Sequence, residues 1–164
     1  MEEIMSDKLT VCFSASGVTA ETAAALAAAE GTDLAEIRPE APYTEADLDW
    51  RNKQSRSTLE MADKNCRPAI EDPRLDMDGY TTVFLGFPIW WGREPSVVDT
   101  FLDRYSFAGK KIVVFCTSGG SGMGATAARI RELTKNEAEV IDGGRIGGSV
   151  SPEDLKTWAE GLIL

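Results

Sequence analysis

Apolar and polar positions alternate in blocks along the chain, and each block has the length of a strand or a helix. Leu9-Thr10-Val11-Cys12-Phe13 is a short apolar run between polar flanks, which reads as a buried strand. The alanine-rich stretch after it predicts a helix over 19–30, with Gly31 placed just past the end for a left-handed cap. Leu34-Ala35-Glu36-Ile37 predicts a second strand, closed by Pro39. Residues 81–87 predict a third strand and 112–116 a fourth. Between them Val98, Phe101, Leu102 and Tyr105 recur at helical spacing, which predicts a helix over 95–105. A fourth helix is expected to end near Lys135, and a fifth strand spans 138–141, with continuation to 146 left open. Ser151-Pro152-Glu153-Asp154 offers a cap, a proline at the first helical position and acids in the first turn, so it starts a final helix. Residues 45–64, within a connection spanning 40–79, are polar with scattered apolar positions and are expected to form an exposed helix. Arg67-Pro68 and Asp72-Pro73 predict extended chain beyond it.

Five strands alternating with helices imply an α/β protein with a doubly wound parallel sheet covered on both faces. Right-handed crossovers favour the strand order 2-1-3-4-5, and ligands then gather at the carboxyl ends of strands 1 and 3, where the winding reverses. The 164 residues are expected to form one domain behind a flexible N-terminus at 1–7.

Composition removes several chemistries. Histidine is absent, which excludes Ser-His-Asp and Cys-His nucleophiles and His-ligated metals. Cys12, Cys66 and Cys116 are odd in number and widely spaced, which argues against a disulfide framework and a cysteine zinc site. Cys12 and Cys116 fall in apolar runs and read as small buried hydrophobes. The net charge of −10 disfavours nucleic acid, which demands a basic stripe. It fits a solvated acidic surface, or steering of basic partners. No apolar run approaches the roughly 18 residues of a membrane helix. The acidic start does not read as a secretory signal, so a cytoplasmic location is expected.

Two segments carry candidate chemistry, and both fall at the reversal crevice. Ser14-Ala15-Ser16-Gly17-Val18-Thr19 joins the first strand to the first helix. A helix start presents unpaired N–H groups and a positive dipole end, which suits a phosphate; three hydroxyls add donors and Gly17 permits close approach. With no lysine or arginine in the loop, uncharged donors would hold the anion, though the same residues suit a plain helix cap. Pro88-Ile89-Trp90-Trp91-Gly92 ends the third strand. Adjacent tryptophans where a buried strand turns outward are costly to leave wet, so a planar ligand or a protein interface is expected to cover one of them.

The first loop resembles the flavodoxin phosphate loop, S-x-T-G-N-T-x-x-x-A, with Ser14, Gly17, Thr19 and Ala23 in register; Ser16 replaces a threonine and Val18 an asparagine. Residues 81–122 resemble the flavodoxin-like branch reading Y-P-I-W-W-G-x-x-P, F-L, G-K and F-x-T-S-G-G-S-G, here Phe87 to Gly92, Pro95, Phe101-Leu102, Gly109-Lys110 and Phe115 to Gly122. The resemblance implies a flavodoxin-like three-layer sandwich that binds FMN. It implies that Ser14 to Thr19 take the phosphate, that Pro88 to Gly92 flank the isoalloxazine, and that Thr117, Ser118, Gly119 and Gly120 line its other edge. The expected function is electron transfer between redox partner proteins or small electron acceptors, and the alternative is an FMN-dependent NAD(P)H:quinone-type oxidoreductase. No side chain is assigned an acid or base role. The 45–64 segment is left two uses, covering the flavin edge or forming a homodimer contact.

Two other readings compete. Gly122-Met123-Gly124-Ala125-Thr126-Ala127 fits G-x-G-x-x-A, and Asp142 stands twenty residues on, where a dinucleotide fold places its ribose-binding acid. Against it, Thr117 to Ser121 separate the strand from the first glycine and spoil the tight turn. A phosphoacceptor domain needs an aspartate where Pro88 stands, and fails on chemistry.

Overall fold

The computed structural model describes residues 7–15, 17–117, 125–146 and 151–163. The order is β1 (Lys8–Cys12), α1 (Val18–Glu30), β2 (Asp33–Glu36), α2 (Arg56–Ala62), a 3₁₀ turn (Met77–Gly79), β3 (Thr82–Phe87), α3 (Ser96–Arg104), β4 (Lys111–Cys116), α4 (Thr126–Leu133), β5 (Glu139–Arg145) and α5 (Pro152–Ile163). The five strands form one parallel sheet in the order β2-β1-β3-β4-β5, as the alternating pattern predicts. No described helix is long and apolar enough to cross a membrane.

Strand alternation sorts the core into two layers. Leu9, Val11, Phe13, Val83, Leu85, Phe87, Ile112 and Val114 face Val97, Val98, Phe101 and Leu102 of α3 and Ala127 and Ile130 of α4. Cys12, Phe84, Val113 and Phe115 face Ala23 and Leu26 of α1 and Leu155 and Ala159 of α5. Small residues on α1 let the helix lie close to the sheet. Its end is capped as expected, with Gly31 in the left-handed region (φ 66°) donating its N–H to Ala27 O. Ser151 Oγ accepts from Asp154 N at 3.1 Å and starts α5.

Two glycines are slots for aromatic rings. A Cβ on Gly86 would collide with the Phe115 ring on the neighbouring strand. A Cβ on Gly143 would stand 2.6 Å from both the Trp158 ring and Val114 O, while Trp158 Nε1 donates to Gly143 O at 2.9 Å. The β4–β5 register shifts between Val114 and Cys116, and Gly144 (φ 74°) absorbs the irregularity.

The helix expected over 45–64 is shorter: α2 covers only Arg56–Ala62, and 45–54 is largely a succession of turns. Short polar side chains bond the nearby backbone there and compete with a helix. Asp47 Oδ2 accepts from Thr44 N (3.0 Å), Asp49 Oδ1 from Arg51 N (3.1 Å) and Asn52 Oδ1 from Gln54 N (2.9 Å). Nor is α2 wholly exposed, since Ser57 and Met61 are buried.

Gly86→Ala is expected to cost about 1–3 kcal/mol, because Phe115 has no room to retreat. Urea midpoints at unchanged m-value measure it; an unchanged midpoint would show that the ring moves aside freely.

Candidate functional site

The carboxyl ends of β1, β3 and β4 meet at one edge of the sheet, and the chain leaves β1 and β3 toward opposite faces. After β1, Phe13 N still bonds Gly86 O (3.0 Å), which ties the first loop to β3. Ser14 is half-buried and its Oγ accepts the Gly17 N–H at 3.0 Å. Gly17 has φ 95°, a conformation L side chains rarely adopt, and nothing lies within 4 Å of where its Cβ would be. Among the described residues no side chain caps α1, which leaves its first-turn N–H groups available to an anion. Val18 is exposed and opens the helix. Thr19 is buried, and its hydroxyl bonds that of Thr117 at 2.7 Å, joining the start of α1 to the end of β4. Ser16, Ser118, Gly119 and Gly120 lie outside the described residues, as do Gly122 to Gly124 of the glycine motif. Asp142 Oδ1 accepts the Gly144 N–H at 2.9 Å, a bond within its own strand.

Beyond β3 the chain makes a two-residue hairpin turn. Trp90 N donates to Arg93 O (2.9 Å) and Arg93 N to Trp90 O (3.2 Å), around Trp91 (φ 50°) and Gly92 (φ 75°). Positive φ at both central positions is the type I′ arrangement, where asparagine and glycine are usual. A tryptophan there is held against a cost of about 1–2 kcal/mol, and strain of this kind gathers at functional sites. Trp91 remains 50% exposed. Pro88 is half-buried, Ile89 turns into the core, and Trp90 packs edge-on against Phe13 (5.6 Å) and Tyr43 (5.4 Å). The two tryptophans thus divide, one toward the core and one outward.

Tyr43 was not legible as a site residue. Its ring lies under the Arg56 guanidinium (3.9 Å) and its hydroxyl donates to Glu60, while Arg56 Nε bonds Glu60 Oε2 at 2.9 Å. Burial, then the bond to Glu60, pushes the phenol upward from its ordinary range. Beside it a cleft of about 220 Å³ is lined by Phe13, Ser14, Ala15, Arg38, Tyr43 and Glu71, among others. Burial pushes the nearby Cys12 thiol up to about 12, and Cys66 also upward, so neither is a ready nucleophile. Among the described residues no cluster could hold a metal ion.

Charged residues behind the turn also escaped the sequence reading. Arg93, Glu94 and Asp99 are buried, and Arg129 bonds Glu94 Oε2 and Asp99 Oδ2 at 2.9 Å each. The contacts span 30 and 35 residues of chain, beyond any local pattern. The available signal was an aspartate within the mostly buried stretch of α3.

A family model described as Flavodoxin matches residues 7–162, and the chain belongs to that family. Among solved structures, a candidate flavoprotein from Bacteroides eggerthii DSM 20697 is 39% identical, with 96% of this chain and 98% of that chain covered and a TM-score of 0.87. Another from Bacteroides uniformis ATCC 8492 is 35% identical, with coverage of 96% and 99% and a TM-score of 0.86. A flavoprotein in complex with FMN from Lactobacillus acidophilus NCFM shares the fold at 20% identity, with coverage of 93% and 97% and a TM-score of 0.64. No match is found among curated proteins.

Trp91→Gly and Trp91→Ala both remove the ring, but only glycine accepts the left-handed backbone. The glycine variant is expected to be more stable by about 1 kcal/mol in urea melts; equal midpoints would mean the turn relaxes at no cost.

Proposed function

We propose that this chain binds FMN across the ends of β1, β3 and β4 and carries electrons between redox partners. The observation that supports it most is the pairing of an uncapped helix start with a strained, half-exposed tryptophan across the same crevice. The donor set suits a phosphate: a serine hydroxyl, free first-turn amides and an open glycine, none of which titrates near neutral pH. The Thr19–Thr117 pair keeps one hydroxyl proton to donate beyond its own bond. Bound FMN would supply the one- and two-electron chemistry, and the protein positions it and tunes its electrostatics. Ser14, Gly17 and Thr19 would hold the phosphate, and Trp91 and the 90–93 backbone would flank the ring. Ser16, Val18, Pro88 and residues 118–120 keep the roles that the resemblance implies. The net charge of −10 disfavours adding an electron to the flavin and steers basic partners.

The cleft beside Phe13 and Tyr43 favours a second reading, an FMN-dependent oxidoreductase that takes hydride from NAD(P)H and reduces a quinone-type acceptor. The two are separated by one assay. A carrier is expected to leave NADH and NADPH unoxidised when loaded with FMN, whereas rapid oxidation selects the reductase.

FMN is expected to bind one-to-one, with flavin fluorescence quenched against Trp91. Gly17→Val, which cannot hold φ near 95°, is expected to weaken binding at least about tenfold. Absence of binding by the wild-type chain in a fluorescence titration overturns the assignment.

A further inference from the structure

Behind the Trp90–Arg93 turn, charged side chains from four segments point inward. Arg93 and Glu94 follow directly on Gly92, Asp99 lies on α3, Arg129 on α4, and Arg67 on the chain ahead of β3. Glu94 and Asp99 have no exposed surface, and Arg93 is 5% exposed. Arg129 bridges the two carboxylates, and Arg93 and Arg67 each stand 3.7 Å from Asp99 Oδ2. Arg93 spends its remaining bonds on backbone, at Met61 O (3.0 Å) and Glu94 O (3.2 Å). That leaves Glu94 Oε1 and Asp99 Oδ1, each buried and without a hydrogen-bond partner among the described residues.

Bare buried acceptors of this kind cost about 1–3 kcal/mol each. The two carboxyls lie within hydrogen-bonding reach of each other, so one proton held between them supplies an O–H···O bond and removes a like-charge repulsion. Burial first, then hydrogen bonding to Glu94 and its charge, pushes the Asp99 carboxyl up to about 8; Arg129 and Arg67 act against the rise without cancelling it.

We propose that Glu94 and Asp99 share one proton behind this turn, and that its release lowers the reduction potential of flavin bound in front of it. The second half rests on the FMN reading. With the proton held, the pair carries one negative charge against the three arginines; when it leaves to solvent, the pair carries two. The added negative charge makes a reduced, anionic flavin less favourable. The path to the site is short. Arg93 makes both hairpin bonds, and Gly92 O accepts from Ala125 N (3.3 Å) just before α4, the helix that carries Arg129. The other charged or ionisable groups nearby are Asp103, bound to Arg67 at 2.6 Å, and Cys66, which lies close to Arg93 with Glu60 and Asp63 around it. Asp103 is 49% exposed on its side chain, one helical turn from Asp99 on α3, and Arg67 stands between the two carboxylates.

Infrared titration of the full chain without flavin, from about pH 6 to about pH 10, reads the proton directly. A protonated-carboxyl band is expected at the acid end, lost toward the alkaline end and missing from both Asp99→Asn and Glu94→Gln. Potentiometry of the FMN-loaded protein is expected to show a downward break over the same range, absent from both variants. No protonated carboxyl in the folded wild type, or a band that survives both substitutions, overturns the shared proton. A band that titrates without a break in potential overturns the coupling. If the chain takes up no flavin, the coupling falls with the FMN reading, while the flavin-free spectra still decide the proton. Should the variants unfold, the two wild-type titrations carry the decision by coinciding or failing to coincide.

Discussion

The carboxyl ends of β1 and β3 lie side by side but send their chains to opposite faces of the sheet, and the candidate site is made of that divergence. α1 goes to the layer it shares with α5, and α3 to the layer it shares with α4. A crevice opens between two departing loops because neither can cross it without leaving its own core face. What borders it follows from the same constraint. One side offers the amides of an uncapped helix, and the other a turn whose outer residue is an aromatic ring. The Thr19–Thr117 bond ties the start of α1 to the end of β4 at this end of the sheet.

Strain at Trp91 persists because the turn is held from several directions. Its own two backbone bonds close it, Arg93 anchors it to the α2 carbonyl of Met61, and Gly92 O ties it to the start of α4. The ionic cluster behind it is a poor source of net stability, since desolvating charges offsets most of what their attraction returns. Its effect is geometric. Removing one partner would strand the others, so the arrangement tolerates few alternatives and keeps the turn in one place. On the cleft side, Tyr43, Phe13 and Trp90 do the same by edge-on ring packing, with Arg56 and Glu60 fixing the tyrosine.

Periodicity exposed the strands and helices because burial on a regular element leaves a regular trace. Leu9 to Phe13 and Thr82 to Phe87 show it plainly, and Gly31 and Ser151 mark helix ends by local geometry alone. Residues 45–54 misled because aspartate and asparagine can bond their own backbone, and composition does not say whether they will. Thr19 illustrates the same limit at the site. Its hydroxyl was legible as a donor, yet its partner stands ninety-eight residues away on β4. Ile89 sat in a motif expected to wall the ligand, and the fold turns its side chain inward.

Sheet order, the location of the crevice and its two bordering motifs were therefore written in the order of residues along the chain, since strand period, crossover handedness and turn chemistry are all short-range. The assignment of glycine slots to Phe115 and Trp158, the place of Tyr43, and the gathering of Glu94, Asp99, Arg93, Arg67 and Arg129 were settled by folding. These depend on distances between segments that no local pattern encodes. Burial acts on a group through whatever surrounds it in space, so a carboxyl's affinity for a proton becomes defined once its neighbours have arrived.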